Sequence, residues 1–196
     1  MPAAALQIES QLKTVAYHAT PMSVTGKLKN LGELVSMASE ARRAGKVVVF
    51  TNGCFDLLHR GHVHILREAK ARGDILIVAL NSDRSVSEIK GPSRPILGET
   101  DRLELIAAME MVDYVALFDE PDPRTLIAAI KPHVLVKGGD WGPGRVVGAD
   151  IVERDGGRVA VIPYIKGIST TEIIERIKNS NGESVYPLRQ RPIGRP

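Results

Sequence analysis

The residues best suited to chemistry lie in one run, Thr51-Asn52-Gly53-Cys54-Phe55-Asp56-Leu57-Leu58-His59-Arg60-Gly61-His62. His59 and His62 stand three positions apart at the entry to a helical segment. That spacing lets both imidazoles face one way and donate to the same anionic oxygens. A helix entry also presents free N–H groups and the positive end of the helix dipole, which favours phosphate. Gly61 leaves room beside the two rings, and Gly53 lets the backbone approach a ligand closely. Competing uses of these side chains are weaker. His64 adds a third imidazole, but no carboxylate stands at ligand spacing and Cys54 is the single cysteine, which disfavours a metal held by the histidines. Cys54 also lacks a base partner in the sequence, which disfavours a thiol nucleophile.

Other polar clusters carry their own logic. Ser169 and Glu172 have the spacing of a capping box opening a helix over 169–178, with Thr170 and Thr171 in its first turn beside free N–H groups. Taken alone, this is equally an ordinary capped helix. Lys137-Gly138-Gly139-Asp140-Trp141 follows a short apolar run, as Asn81-Ser82-Asp83 follows another, with Lys90-Gly91-Pro92-Ser93-Arg94-Pro95 on a polar loop beyond. Arg102 falls in the first turn of a helical segment, 101–111, where the dipole disfavours a cation unless a partner compensates. A phosphate, a carboxylate or a surface salt bridge would serve. There is no Gly-x-x-x-x-Gly-Lys-Ser/Thr loop, and Gly142 to Gly148 misses the dinucleotide fingerprint by one residue, which counts against an oxidoreductase.

The elements that must position these residues follow from periodicity. Apolar runs at Val47–Phe50, Ile75–Leu80, Tyr114–Phe118, Val134–Val136 and Val159–Ile162 alternate with helical segments at 62–72, 101–111, 123–130 and 169–178. Continuous apolar strands imply burial on both faces, and strand–helix alternation implies parallel pairing. The expected fold is α/β: a Rossmann-like three-layer sandwich with a five-stranded parallel sheet. Ligands of such sheets bind at the carboxyl ends of the strands, where the polar clusters fall. Leu28, Leu31, Leu34, Val35, Ala38 and Ala41 predict a covering helix ending near Gly45, and the helix carrying His62 should run to about Arg72 and stop at Gly73. Residues 1–26 are expected as a loose arm, 27–179 as one domain, and 180–196, with three Pro, two Gly and three Arg, as a disordered tail.

Composition limits the function classes. Net charge is +3, but 47–179 hold 17 Lys/Arg against 19 Asp/Glu, so the body offers no basic face to nucleic acid. Hydrophobic content of 43% suits a globular core, while no apolar run approaches the roughly 20 residues of a membrane span. With one cysteine and no signal-peptide pattern, the expected compartment is the cytoplasm.

His59-Arg60-Gly61-His62, preceded by Thr51 to Asp56, resembles the His-x-Gly-His signature of the cytidylyltransferase-like nucleotidyltransferases, and Gly167-Ile168-Ser169-Thr170-Thr171 resembles their second signature. The ordered set with Asn81-Ser82-Asp83, Lys90 to Pro95 and Val136 to Asp140 is similar to the branch that adenylylates D-glycero-β-D-manno-heptose 1-phosphate, over about residues 28–179. The resemblance implies attack of a sugar 1-phosphate on the α-phosphorus of ATP, a step toward the lipopolysaccharide inner core. It also implies magnesium carried mainly by the triphosphate, a homodimer, and a separate heptose kinase upstream, this chain having the stand-alone form. A cytidylyltransferase for glycerol phosphate shares both signatures and stays open beside it.

By that resemblance His59, His62 and Lys90 act on the reacting phosphates. Thr51, Asn52, Gly53, Phe55 and Gly61 line the nucleotide pocket, and Ser169, Thr170 and Thr171 hold the β- and γ-phosphates. Lys137, Gly138, Asp140 and Trp141 lie near base and ribose. Asp56, Arg94 and Arg102 belong to the acceptor side, with a helix cap as the other reading of Asp56. One departure stands out: where some relatives carry arginine before the second signature, this chain has Pro163-Tyr164-Ile165-Lys166, so any charge there comes from Lys166.

Overall fold

The computed structural model describes residues 26–139 and 146–180. Helix α1 (Leu31–Arg43) precedes β1 (Val48–Gly53), α2 (Arg60–Lys70), β2 (Ile75–Asn81), α3 (Asp83–Lys90), α4 (Glu99–Ala107), β3 (Tyr114–Phe118), α5 (Arg124–Ile130), β4 (Val134–Gly138), α6 (Ala149–Arg154), β5 (Arg158–Ile162) and α7 (Thr170–Lys178). The strands form one sheet in the order β3-β2-β1-β4-β5, every pairing parallel. Thr51 of β1 pairs with Val78 on one side and Val136 on the other. The chain winds outward from β1 to β3, then returns to place β4 beside β1. The order therefore reverses between β1 and β4, and a crevice opens at their carboxyl ends.

Successive strand residues serve opposite faces. Val48, Phe50, Ile77 and Leu135 pack with Leu34, Ala38, Ile127, Ile130 and Val152, which come from α1, α5 and α6. Val49, Leu76, Val78 and Val136 pack with Leu66 and Ala69 of α2 and with Leu103 and Ile106 of α4. Both faces are thus covered, which is why the strands run apolar without alternation. Helix α1 is fixed at its start by a reciprocal box, with Glu33 N donating to Asn30 Oδ1 at 2.9 Å and Asn30 N to Glu33 Oε2 at 2.8 Å.

Several boundaries differ from expectation. Residues 83–90 form α3, so Lys90 ends a helix instead of lying in a loop. Only Ser85 and Val86 of α3 are buried, too thin a stripe to give a helical period; Ser82 Oγ caps it by accepting from Ser85 N at 3.1 Å. Helix α6 is likewise a single short element, and α4 starts and ends earlier than 101–111. Gly73 does not stop α2, which ends at Lys70. It serves close approach instead: a Cβ there would lie 2.7 Å from the Val47 carbonyl oxygen.

The two sheet edges are unlike. Beside β3, Lys29 N donates to Val115 O and Val115 N to Lys27 O, both at 2.9 Å, so residues 27–29 cover that edge. On the other side β5 is partly exposed, with Ile162 as its one buried residue. The expected arm and tail fall almost wholly outside the described residues.

Candidate active site

Every strand of the central crevice ends in polar residues, and two helices aim their N-termini at it. The first is α2. His59 is its N-cap, and Gly61 N donates to His59 Nδ1 at 3.1 Å. His59 N in turn donates to His62 Nδ1 at 3.4 Å, which makes a capping box built from two imidazoles. The rings stack with centroids 3.9 Å apart and planes 26° apart. Because each Nδ1 is an acceptor, the proton of each neutral ring sits on Nε2, leaving two N–H donors with no partner among the described residues.

Electrostatics keep the pair neutral. Burial first, then the neighbouring His59, pull His62 down to about 4 against an opposing pull from Asp56. Burial lowers His59 as well, against a smaller opposing pull from Glu172. Gly61 is required by this stack, since a Cβ there would lie 2.9 Å from both Cε1 and Nδ1 of His59. Phe55, at φ 46°, turns its ring beside Gly53 and 5.4 Å from the His62 ring. A non-glycine residue in that region is strained by about 1–3 kcal/mol, held here by a buried ring.

The second N-terminus is that of α7. Ser169 Oγ accepts from Glu172 N at 3.1 Å, and Thr170 Oγ1 donates to Leu57 O at 3.2 Å. Ile168 would touch a side chain placed at Gly61. The starts of α2 and α7 are therefore neighbours, and their free N–H groups and dipole ends converge. Thr171 is exposed in the same first turn.

Thr51 is buried within β1 under this site, and Asn52 and Gly53 end the strand. From β4, Lys137 Nζ reaches Asn52 Oδ1 at 3.2 Å and Asn52 O at 3.4 Å. Gly138 is needed beside it, since a Cβ would meet Ile65 Cδ1 at 2.3 Å. Asp140 and Trp141 lie outside the described residues.

The three expected acceptor-side residues are joined, but two of them have other work. The Asp56 side chain is 1% exposed. Its oxygens accept from Arg94 Nε at 2.6 Å, Ile96 N at 2.9 Å and Leu97 N at 3.0 Å. Burial raises this carboxyl, and the backbone donors with Arg94 outweigh it, so the group ends below its ordinary value. It caps no helix; it holds the 94–97 loop. Arg102 is fully buried. Its Nε donates to Leu97 O at 3.1 Å, Nη1 to Cys54 O at 2.5 Å and Nη2 to Asp83 Oδ1 at 2.8 Å. Of its three possible partners the structure shows the carboxylate, a buried guanidinium meeting the half-exposed Asp83. Asp56 and Arg102 thus brace the loop between α3 and α4 against the turn after β1. Sequence reasoning missed Asp83 and Glu99, whose Oε2 accepts from Asp83 N at 2.9 Å. The one signal for Asp83 was that a cation in a helix's first turn needs an anion. Burial raises the Cys54 thiol despite nearby cations, in keeping with a non-nucleophilic cysteine.

The model of the family described as Cytidylyltransferase-like matches residues 50–176. The chain belongs to that family. It is an enzyme of the nucleotidyltransferase class. Bifunctional protein HldE of Geotalea uraniireducens (strain Rf4) is 50% identical over 164 residues, covering 84% of this chain and 33% of that protein. Its namesake from Trichlorobacter lovleyi (strain ATCC BAA-1151 / DSM 17278 / SZ) is 54% identical over 151 residues, covering 77% and 31%. The chain thus spans about a third of the length of these relatives. A lipopolysaccharide core biosynthesis protein from Thermoplasma volcanium GSS1 superposes with a TM-score of 0.51 at 30% identity, over 63% of this chain and 100% of that one. Pantoate-beta-alanine ligase from Francisella tularensis, at 14% identity and a TM-score of 0.50, shares the fold. No helix among the described residues is long and apolar enough to cross a membrane.

Proposed function

We propose that this chain transfers the adenylyl group of ATP to D-glycero-β-D-manno-heptose 1-phosphate, giving ADP-heptose and pyrophosphate. An acceptor phosphate oxygen forms the bond to the α-phosphorus, and the bond from that phosphorus to the pyrophosphate oxygen breaks. The observation that carries the reading is the stacked His59/His62 pair beside the start of α7: two uncharged Nε2–H donors and two helix N-termini suit a polyphosphate leaving group. Ser169, Thr170 and Thr171 then take the β- and γ-phosphates. Asn52, Gly53 and Phe55 shape the nucleotide pocket above the buried Thr51, with Asp140 and Trp141 assigned to the ribose and base. Similarity to HldE proteins supports the heptose acceptor.

Magnesium suits this donor set as an ion carried by phosphate oxygens, because the nearby carboxylates Asp56 and Asp83 are occupied by Arg94 and Arg102. When bound, it supplies neutralisation of charge on the triphosphate. The working form is proposed as a homodimer in the cytoplasm, fed by a heptose kinase. Pyrophosphate release assayed with ATP or CTP against heptose 1-phosphate and glycerol 3-phosphate tests the assignment. ATP with the heptose is the expected pair; turnover confined to CTP and glycerol 3-phosphate would replace it with a cytidylyltransferase.

A further inference from the structure

A cavity of about 300 Å³ lies at the amino ends of β1, β4 and β5, the opposite edge of the sheet from the crevice, and Arg42, Lys131, His133, Asp155 and Gly157 are in its wall. That volume falls at the lower end of the range for small-molecule sites. The wall is fixed by bonds between its parts. His133 N donates to Val48 O and Arg158 N to His133 O, both at 2.9 Å, so His133 is stitched between β1 and β5. Its Nδ1 accepts from Val48 N at 3.0 Å, which puts the proton of the neutral ring on Nε2 and makes that nitrogen a donor. Arg42 Nη2 donates to Ile130 O at 3.0 Å and to Lys131 O at 2.8 Å. These bonds cover carbonyls at the end of α5 that would repel an anion, and they hold the guanidinium in place. Gly157 lets the remaining wall close in, since a Cβ there would lie 2.9 Å from His133 O and 3.0 Å from Pro132 O.

Lys131 is the wall residue that local chemistry does not explain. It takes the left-handed C-cap of α5 at φ 51°, and among the described residues the one other non-glycine at positive φ is Phe55 of the active site. Glycine or asparagine is the ordinary choice at such a cap, and a lysine there is strained. Its ion pair with Asp155 is long, at 3.7 Å, and partly exposed, so it returns little stability. Asp155 is also shared with Arg154 Nε, again at 3.7 Å. The wall therefore sets two permanent cations against one shared carboxylate. We propose that this cavity binds the phosphate group of a small metabolite, held by Lys131, Arg42 and the His133 Nε2–H. Arg42 supplies a guanidinium charged at every working pH, and Lys131 a point charge on a flexible stem. The volume exceeds that of a phosphate ion and leaves room for a sugar-sized body. The site is separate from the nucleotide crevice, so the inference holds whatever the acceptor of the reaction.

Proton NMR of the full chain, titrated at constant pH and ionic strength with inorganic phosphate, ribose 5-phosphate and succinate, tests the site. The His133 ring protons report on this cavity, and those of His59 and His62 report on the crevice. Phosphate and ribose 5-phosphate should shift the His133 signals saturably, the sugar phosphate at least as tightly, and succinate should bind at least ~10-fold more weakly. Lys131→Asn suits the left-handed backbone, so its melting temperature should stay level or rise. In that variant phosphate should bind at His133 at least ~10-fold more weakly, while the shifts at His59 and His62 stay as in the original chain. Lys131→Gly serves the same comparison and fits the same backbone. A His133 shift that climbs without saturating to roughly 50 mM phosphate overturns the site, as does phosphate affinity unchanged in Lys131→Asn. Succinate binding as tightly as phosphate overturns the ligand class.

Discussion

His59 and His62 use one nitrogen each to close a helix and keep the other for a ligand. That double duty makes His62 a source of acid sensitivity. Its folded pKa is depressed from 6.5 to about 4. The unfolded chain therefore takes up a proton below 6.5 that the folded chain refuses until about 4. The stability this provides is fully present above 6.5 and is lost as the pH falls toward 4, by roughly 3 kcal/mol at most. Denaturant unfolding from pH 7.5 to 4.5 should fall less steeply for His62→Gln than for the original chain; equal slopes would refute the buried neutral ring. Gly61 separates geometry from stability at the same place. Alanine is the better helix former by up to ~1 kcal/mol, but its methyl would push on the His59 ring. Gly61→Ala should change stability by no more than about 1 kcal/mol, the propensity gain offsetting the disturbed cap, while lowering kcat on the order of 10²-fold, as a displaced catalytic group does.

Two elements with opposite attachments frame the site. Helix α2 is anchored by Leu66 and Ala69, both at 0% exposure, whereas α7 buries none of its residues. The start of α7 is held by its Ser169 cap and by the Thr170 bond to Leu57. An element with so little burial opens at a cost well below that of the whole domain. Amide exchange should show α7 as a fast unit in the free chain, slowed at least ~10-fold by an ATP analogue that spans the starts of α2 and α7. Equal exchange with and without nucleotide would remove α7 from the triphosphate site. The loop between α3 and α4 is the contrasting case, fixed from below by Asp56 and Arg102, so the end of α3 presents Lys90 from a firm base.

At the scale of the whole molecule, the sheet is finished on one side by a segment from before the first helix. Leu28 packs into the core beside α4 and β3, and its neighbours bond both polar groups of Val115. Leu28→Ser should cost about 1–2 kcal/mol, since a half-buried leucine loses part of its transfer energy and the edge pairing loosens. Chemical denaturation measures the loss, and light scattering on warming should show earlier association as the β3 edge is bared. Stability equal to that of the original chain would make residues 27–29 incidental to the fold.

Local chemistry determined much of this protein. The five apolar runs became the five strands in parallel, because a strand buried on both faces must be apolar throughout. The Ser169 cap and the helix entry at His59 to His62 were legible because caps depend on neighbours in sequence. Less could be read where a residue's partner is distant. Arg102 demanded an anion, but only the packing of α4 under the turn after β1 buried the arginine and chose Asp83 to meet it. Asp56 had the same neighbours in sequence whether it capped a helix, met a ligand or held a loop, and the fold brought the 94–97 backbone to it. Helix α3 stayed hidden because two buried residues make no period, so Lys90 was placed in a loop. The sequence by itself determined the five strands and the helix entries at His59 and Ser169, with the polar residues that stand at them. The tertiary structure alone decided which charges are matched inside the molecule, Arg94 by Asp56 and Arg102 by Asp83, because ion pairing depends on distance in space and not along the chain.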